Sequence, residues 1–168
     1  LRNVAWTCEA VERCDDEVDN DCNGLVDARD PACAGCAAGP AEQTFARGMV
    51  GCAGQVSFAD RDTLCRPGHR PCTADEWVRR HGRAGPTHHY WTDDDLLYNG
   101  PGDACWVSTT LGNASCSPLQ PMRVCAGTQD PLGNSCGWSG CGLGAPDPLD
   151  YFGGCAADPT AGTLCCPE

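Results

Sequence analysis

Residues 57–78 read Ser57-Phe-Ala-Asp60-Arg-Asp-Thr-Leu-Cys65-Arg-Pro67-Gly68-His-Arg-Pro-Cys72-Thr73-Ala-Asp-Glu76-Trp77-Val78, and their local chemistry sets the fold expected of the chain. Thr73-Ala-Asp-Glu76 is a capping box: the Thr hydroxyl accepts an orphan amide of the first turn while the Glu carboxylate reaches back to the cap. It predicts a helix over Ala74–Arg80, ended before Gly82, with Trp77 and Val78 facing inward. Arg79, Arg80 and His81 then lie at the C-terminal end of the helix dipole, where cations are favourable. Ser57-x-x-Asp60 is a weaker version of the same box, with Asp where Glu or Gln is usual. It predicts a short helix to about Cys65, stopped by Pro67-Gly68. After Gly85-Pro86, turn residues recur every few positions, so short strands (Trp106–Thr110, Met122–Ala126, Thr163–Cys166) with ordered loops between them are expected.

The 168 residues include 16 Cys, 21 Gly and 13 Pro, with 23 acidic and 11 basic side chains and a net charge of −12. Cysteine at this density, near the rough 8–10% level of disulfide scaffolds, points to an oxidising compartment. The acidic balance excludes nucleic acid and anionic membrane surfaces as partners, since both require a basic face. No apolar stretch approaches the roughly 20 residues that span a bilayer, so membrane insertion is not expected. Leu1–Ala10 carries no initiator Met and no charged-then-apolar leader, which is read as a mature secreted chain, extracellular or at the cell surface. With five Trp and little Leu or Phe, the expected core is small and built of Trp and cystine. Sixteen cysteines allow about two million pairings. Adjacent Cys165 and Cys166 are expected to reach different partners, because a bridge between neighbours strains the peptide joining them.

Charge marks a boundary. Cys8–Cys33 holds nine acids against two bases, and its four cysteines leave twelve from Cys36 onward, so either part can close its own bridges. The division expected is an acidic module over 1–35 and a disulfide-rich domain over 36–168. Within the module, Asp19-Asn-Asp21-Cys-Asn23-Gly24-Leu25-Val26-Asp27-Ala-Arg-Asp30 has the spacing of a twelve-residue Ca²⁺ loop. Such a loop supplies six to eight hard oxygens from positions 1, 3, 5, 7, 9 and 12. Those positions are Asp19, Asp21, Asn23, the Leu25 carbonyl, Asp27 and Asp30, with Gly24 at the sharp turn of position 6 and Val26 at position 8. Asp at position 12, where Glu is usual, shortens the reach of the final ligand. Asp15-Asp16-Glu17 before the loop and Pro31 after it exclude long flanking helices, and cysteines are expected to brace the loop instead.

The segment CDDEVDNDCNGLVD resembles the cysteine-framed, Asp-rich metal-binding motif of secreted myxobacterial-type proteins, and is similar to the calcium loops of dockerins and thrombospondin type 3 repeats. The resemblance covers Cys8–Cys33 and implies Ca²⁺ as the bound ion. In the body, Ser57–Cys65 followed by Gly68–Val78 resembles the two-helix opening of C-type-lectin-like domains. GHRPCTADEW resembles the matching part of the formylglycine-generating-enzyme branch of that fold. Thr163-Leu-Cys165-Cys166-Pro-Glu168 is similar to the final, cystine-bearing lectin-like strand. These likenesses imply an α+β fold: a small, loop-rich C-type-lectin-like domain with two short helices and short antiparallel strands, preceded by the Ca²⁺-loop module. The sugar-binding triplets of that family are absent; Gln120-Pro121-Met122 and Trp138-Ser-Gly stand nearest and lack the acidic oxygen.

His88-His89-Tyr-Trp-Thr-Asp93-Asp94-Asp95 is a candidate second metal site, since imidazole and carboxylate both ligate Zn²⁺ or Ca²⁺. A structured polar loop is the simpler reading, because adjacent histidines point in different directions. Cys33-x-x-Cys36 lacks the βαβ context of a thiol-exchange motif, and Asn113-Ala-Ser115 is an N-glycosylation sequon. No nucleophile-elbow, zincin or phosphate-loop pattern occurs. The expected protein is a non-enzymatic, calcium-stabilised, cross-linked structural or adhesive unit of a surface layer or filament. Its expected partners are further copies of itself, as a homo-oligomer, or extracellular proteins and glycans. A carbohydrate-binding lectin-like module is the alternative, and a metallo-hydrolase around His88 and His89 a distant third.

Overall fold

The computed structural model describes residues 8–9, 17–26, 30, 35–95, 97–99, 106–108, 122–136, 149–154 and 159–168, with 97–99 and 106–108 described by their backbone alone. Among the nine strands of the described residues, one organises the rest. The strands are β1 (Gln43–Thr44), β2 (Val50–Val56), β3 (His69–Pro71), β4 (Tyr90–Trp91), β5 (Leu97–Asn99), β6 (Trp106–Ser108), β7 (Arg123–Val124), β8 (Phe152–Gly153) and β9 (Ala161–Pro167). β9 is the spine. β2 runs antiparallel along one side of it, pairing Val50 with Cys165 and Cys52 with Thr163. Along the other side β4 pairs in parallel (Tyr90 with Gly162, Trp91 with Thr163), and β3 pairs antiparallel with the last three residues. The sheet continues outward as β1 beside β2 and as β7 then β8 beyond β4, while β5 and β6 form a separate hairpin-like pair.

The result is a curled, mixed sheet resembling half a barrel, with little helix. The expected α+β arrangement, two helices with antiparallel strands only, is therefore corrected. Two physical reasons account for the difference. Parallel pairing of β4 with β9 joins residues about seventy positions apart, and no local pattern records it. The first expected helix also fails to become one: Ser57 Oγ bonds to the Asp60 carboxylate at 2.6 Å instead of to a backbone amide, and Phe58–Leu64 closes as a 3-10 helix. Three-residue steps such as Asp60 N–H to Ser57 O (3.1 Å) and Cys65 N–H to Asp62 O (3.0 Å) hold it.

The second helix forms where expected. α1 (Ala74–Arg80) carries the complete capping box, with Glu76 N–H donating to Thr73 Oγ1 at 3.2 Å and Thr73 N–H to Glu76 Oε2 at 2.9 Å. Asp94 adds a second acceptor at that end, taking the Ala74 N–H at 2.5 Å. Ala74, Trp77 and His81 form the buried stripe at spacings of three and four, and Trp77 Nε1 donates to Asp150 O at 2.6 Å. Val78 lies outside that stripe and is 43% exposed, against the expectation that it faces inward.

Alternation along β9 explains the bridges. Successive strand residues point to opposite faces of a sheet. Leu164 and Cys166 enter the main core with Met49, Trp77, Tyr90, Met122, Val124 and Phe152. Cys165 enters a second cluster on the other face with Cys36, Val50 and Cys52. Cys165 accordingly bridges to Cys65 and Cys166 to Cys72, closing sequence separations of 100 and 94. In the chain-entropy view, a loop of that length contributes about 4–5 kcal/mol by restricting the unfolded chain. Cys36–Cys52, Cys125–Cys136 and Cys8–Cys22 bring the bridges among the described residues to five, and none of their cysteines is free. The close approach of β2 to β9 depends on Gly162, where a Cβ would collide with the Cys52 carbonyl and Ala53 Cα.

Candidate functional site

The acidic loop is held from one end by the Cys8–Cys22 bridge and by a Glu9 N–H to Asn20 O bond of 2.6 Å. Asp19 accepts two backbone amides, Asn23 N–H at 3.1 Å and Gly24 N–H at 2.9 Å, which turns the chain back over the first carboxylate. Gly24 sits at φ +90°, in the left-handed region that a side chain resists. Asn23 is the hub. Its backbone N–H also donates to Asp21 Oδ1 (3.0 Å), its Oδ1 accepts Leu25 N–H (2.8 Å), and its Nδ2 donates to Asp21 Oδ2 (3.2 Å) and Asp30 Oδ2 (2.8 Å). Asp30 is 1% exposed, so this carboxylate is drawn out of water.

Four expected ligands, Asp19, Asp21, Asn23 and Asp30, are thereby linked in one hydrogen-bonded cluster. Leu25 follows on the rim, 38% exposed, and Asp27 lies outside the described residues. The donors are all hard oxygens, the type Ca²⁺ prefers. One amide group serves two carboxylates that lie nine residues apart in the sequence.

The His88–Asp95 stretch is dispersed. Asp93 pairs with Arg61 at 2.9 Å, Asp94 caps α1, and Asp95 is exposed. His88 Nδ1 lies 3.3 Å from Thr87 Oγ1, while His89 points into the protein with its Nδ1 accepting Ala126 N–H at 2.9 Å. Each candidate ligand has its own partner or direction, and they do not gather around a common point. Burial holds the His89 imidazole down to about 4, so it is neutral at physiological pH. Cys72, Glu76 and Cys166 do lie within 4.8 Å of one another. Cys72 and Cys166 are bonded to each other, though, and a disulfide offers no thiolate to a metal. Cys36 is likewise committed to Cys52, which removes it from thiol exchange with Cys33.

Comparison with protein-family profiles, with curated proteins and with solved structures finds no match to this chain. Function therefore rests on the arrangement of its own residues. Among the described residues no helix is long and apolar enough to cross a membrane. The five bridges fit an oxidising environment such as the outside of a cell.

Sequence reading missed one polar centre. Asp130 is 6% exposed; its Oδ1 accepts Leu132 N–H (3.0 Å) and Asn134 N–H (2.9 Å), and its Oδ2 accepts His89 N–H (3.1 Å) and Asn134 Nδ2 (2.7 Å). Burial alone would raise the Asp130 pKa, but these donors favour the charged form and bring it below the usual carboxylate value. Asn134 extends the network to Gly54 O at 2.9 Å and to Thr160 Oγ1 at 2.5 Å. The signal was present as Asp130-Pro-Leu-Gly133-Asn134, an Asx-type turn with Gly133 at φ +87°. Asn113, the sequon residue, lies outside the described residues.

Proposed function

We propose that the protein is a secreted, disulfide-stapled structural or adhesive unit whose amino-terminal loop binds Ca²⁺ through Asp19, Asp21, Asn23, the Leu25 carbonyl, Asp27 and Asp30. The observation that carries this reading is the Asn23 hub, which gathers the Asp21 and Asp30 carboxylates while Asp19 folds over Gly24. In this reading Ca²⁺ is held by hard oxygens of the kind it prefers, and this chain's residues would bind and orient it. Asp19 orders the turn, Asp21 and Asp30 contribute charge, and Asn23 contributes an amide oxygen. The Cys8–Cys22 bridge limits the loop's freedom before binding, lowering the ordering cost. The role is mechanical, not catalytic: the ion orders the amino-terminal segment for docking to another copy of the chain or to an extracellular partner.

The five bridges support the extracellular half of the reading, since such cross-links persist in oxidising surroundings. Calorimetric titration of the intact, oxidised chain with CaCl₂ tests the ion. One saturable site, abolished by Asp19→Ala with Asp21→Ala, is expected. The absence of binding heat, or the same heat from the double variant, would refute it.

A further inference from the structure

Among the bridges of the described residues, one differs from the rest in its access to solvent. Cys8 and Cys22 are both exposed, whereas seven of the eight cysteines in the other four bridges are buried and Cys65 is half-buried. A thiol breaks a bridge only where it can reach a sulfur, so buried bridges wait on opening of the fold while an exposed one does not. The bridges also differ in what they hold. Cys36–Cys52, Cys65–Cys165 and Cys72–Cys166 lie in the two clusters on either side of β9. Cys8–Cys22 instead ties the acidic loop to the chain that precedes it.

Cys22 is the residue between Asp21 and Asn23, so the bridge is anchored inside the loop and not at its border. Both hydrogen bonds from Asn23 to Asp21, at 3.0 and 3.2 Å, close around it. Its backbone lies at φ +62°, in the left-handed region that a residue with a Cβ resists. Two ties hold it there: the covalent bridge and, beside it, the Glu9 N–H to Asn20 O bond. Opening the bridge leaves one exposed hydrogen bond to keep Asp21 and Asn23 in register.

We propose that Cys8–Cys22 is a thiol–disulfide exchange site, open to low-molecular-weight thiols, whose oxidation state sets the affinity of the loop for Ca²⁺. The second half rests on the calcium reading of the loop given above. The chemistry balances as ordinary exchange: one thiolate attacks a sulfur of the bridge and forms a mixed disulfide, and the other cysteine leaves and takes up a proton. A second thiol resolves the mixed disulfide and frees the first cysteine, so two electrons pass to the bridge and the two reductant molecules leave as one disulfide. Linkage then runs both ways. If oxidation tightens Ca²⁺ binding by some factor, saturating Ca²⁺ shifts the bridge towards its oxidised form by the same factor.

Equilibration of the intact chain in glutathione buffers of graded [GSH]²/[GSSG], followed by alkylation and peptide mass spectrometry, tests both halves. Cys8 and Cys22 should become labelled at ratios that leave the four buried bridges closed; labelling together with them, or after them, overturns the exchange site. Saturating CaCl₂ at constant ionic strength should raise the ratio needed for half reduction of Cys8–Cys22 by about fivefold or more, within the ordinary range of coupling between linked events. Asp19→Ala with Asp21→Ala should abolish that rise. Cys8→Ser with Cys22→Ser should weaken calorimetric Ca²⁺ binding by the same factor, and if this variant does not fold, the wild-type titration still decides. No rise in a chain whose oxidised form gives calcium heat overturns the coupling and leaves the calcium loop standing. No calcium heat from the oxidised chain refutes the loop reading, and the coupling falls with it.

Discussion

Replacing Glu76 by Gln removes one charge and almost no volume, which makes it a clean probe of how α1 is fixed to the sheet. Glu76 Oε2 takes Arg70 Nη1 at 2.8 Å and the Thr73 amide at 2.9 Å, and Oε1 takes Arg70 Nη2 at 3.0 Å and Arg80 Nη2 at 2.9 Å. The carboxylate is 15% exposed. The bidentate Arg70 pair, with the Thr73 amide and the charge of Arg80, outweighs burial and lowers its pKa from 4.5 to about 2. A depression of that size corresponds to about 3 kcal/mol of stability, at 1.36 kcal/mol per unit. The sign follows from proton counting. The unfolded chain holds a proton on Glu76 below pH 4.5 that the folded chain refuses until about pH 2. The contribution is therefore complete above pH 4.5 and lost as pH falls through 2. Urea unfolding of the oxidised protein and of Glu76→Gln should differ by about 2–3 kcal/mol at pH 7, allowing for the capping that Gln retains. The gap should narrow between pH 4.5 and 2. Equal stabilities at pH 7, or a gap that persists unchanged at the acid end, would refute the reasoning.

Gly162→Ala should destabilise by about 2 kcal/mol or more, because the added methyl meets backbone of Cys52 and Ala53 that cannot move aside; thermal unfolding measures it. Partial reduction with tandem mass spectrometry should recover Cys65 linked to Cys165 and Cys72 linked to Cys166, and the crossed pairing would contradict the two-faced role of β9. The pKa of His89, held at about 4 by burial, predicts a second acid-labile contribution, present above pH 6.5 and lost as pH falls through 4. Its neighbours Asp130, Arg123, the Asn134 backbone and His88 modulate that value, and His89→Gln should flatten the stability profile across this window.

Local chemistry in the sequence carried further than topology did. Thr73 and Glu76 wrote the start of α1 in four residues, since a capping box needs no distant partner. The Thr163–Cys166 run marked the centre of β9, and adjacency of Cys165 and Cys166 already required separate partners. What could not be read was long-range. The parallel pairing of Tyr90-Trp91 with β9 made the sheet mixed, and the Ser57–Asp60 bond diverted the first helix into a 3-10 turn. Val78 faces water because Trp77 and His81 turned the stripe past it. In the candidate site, Gly24 was legible as the sharp turn, while Asp19 and Asn23 were legible only as loop positions 1 and 5. The burial of Asp30 and the Asp130–Asn134 network depend on contacts that only the folded chain brings together.

Hydrogen exchange at the Asn23 and Gly24 amides tests the claim of a calcium loop most directly, because both amides close the turn over Asp19. With the bridges intact, Ca²⁺ should slow their exchange relative to chelator, and Asp19→Ala with Asp21→Ala should remove the difference. Identical exchange with and without the ion in the wild-type chain would contradict it.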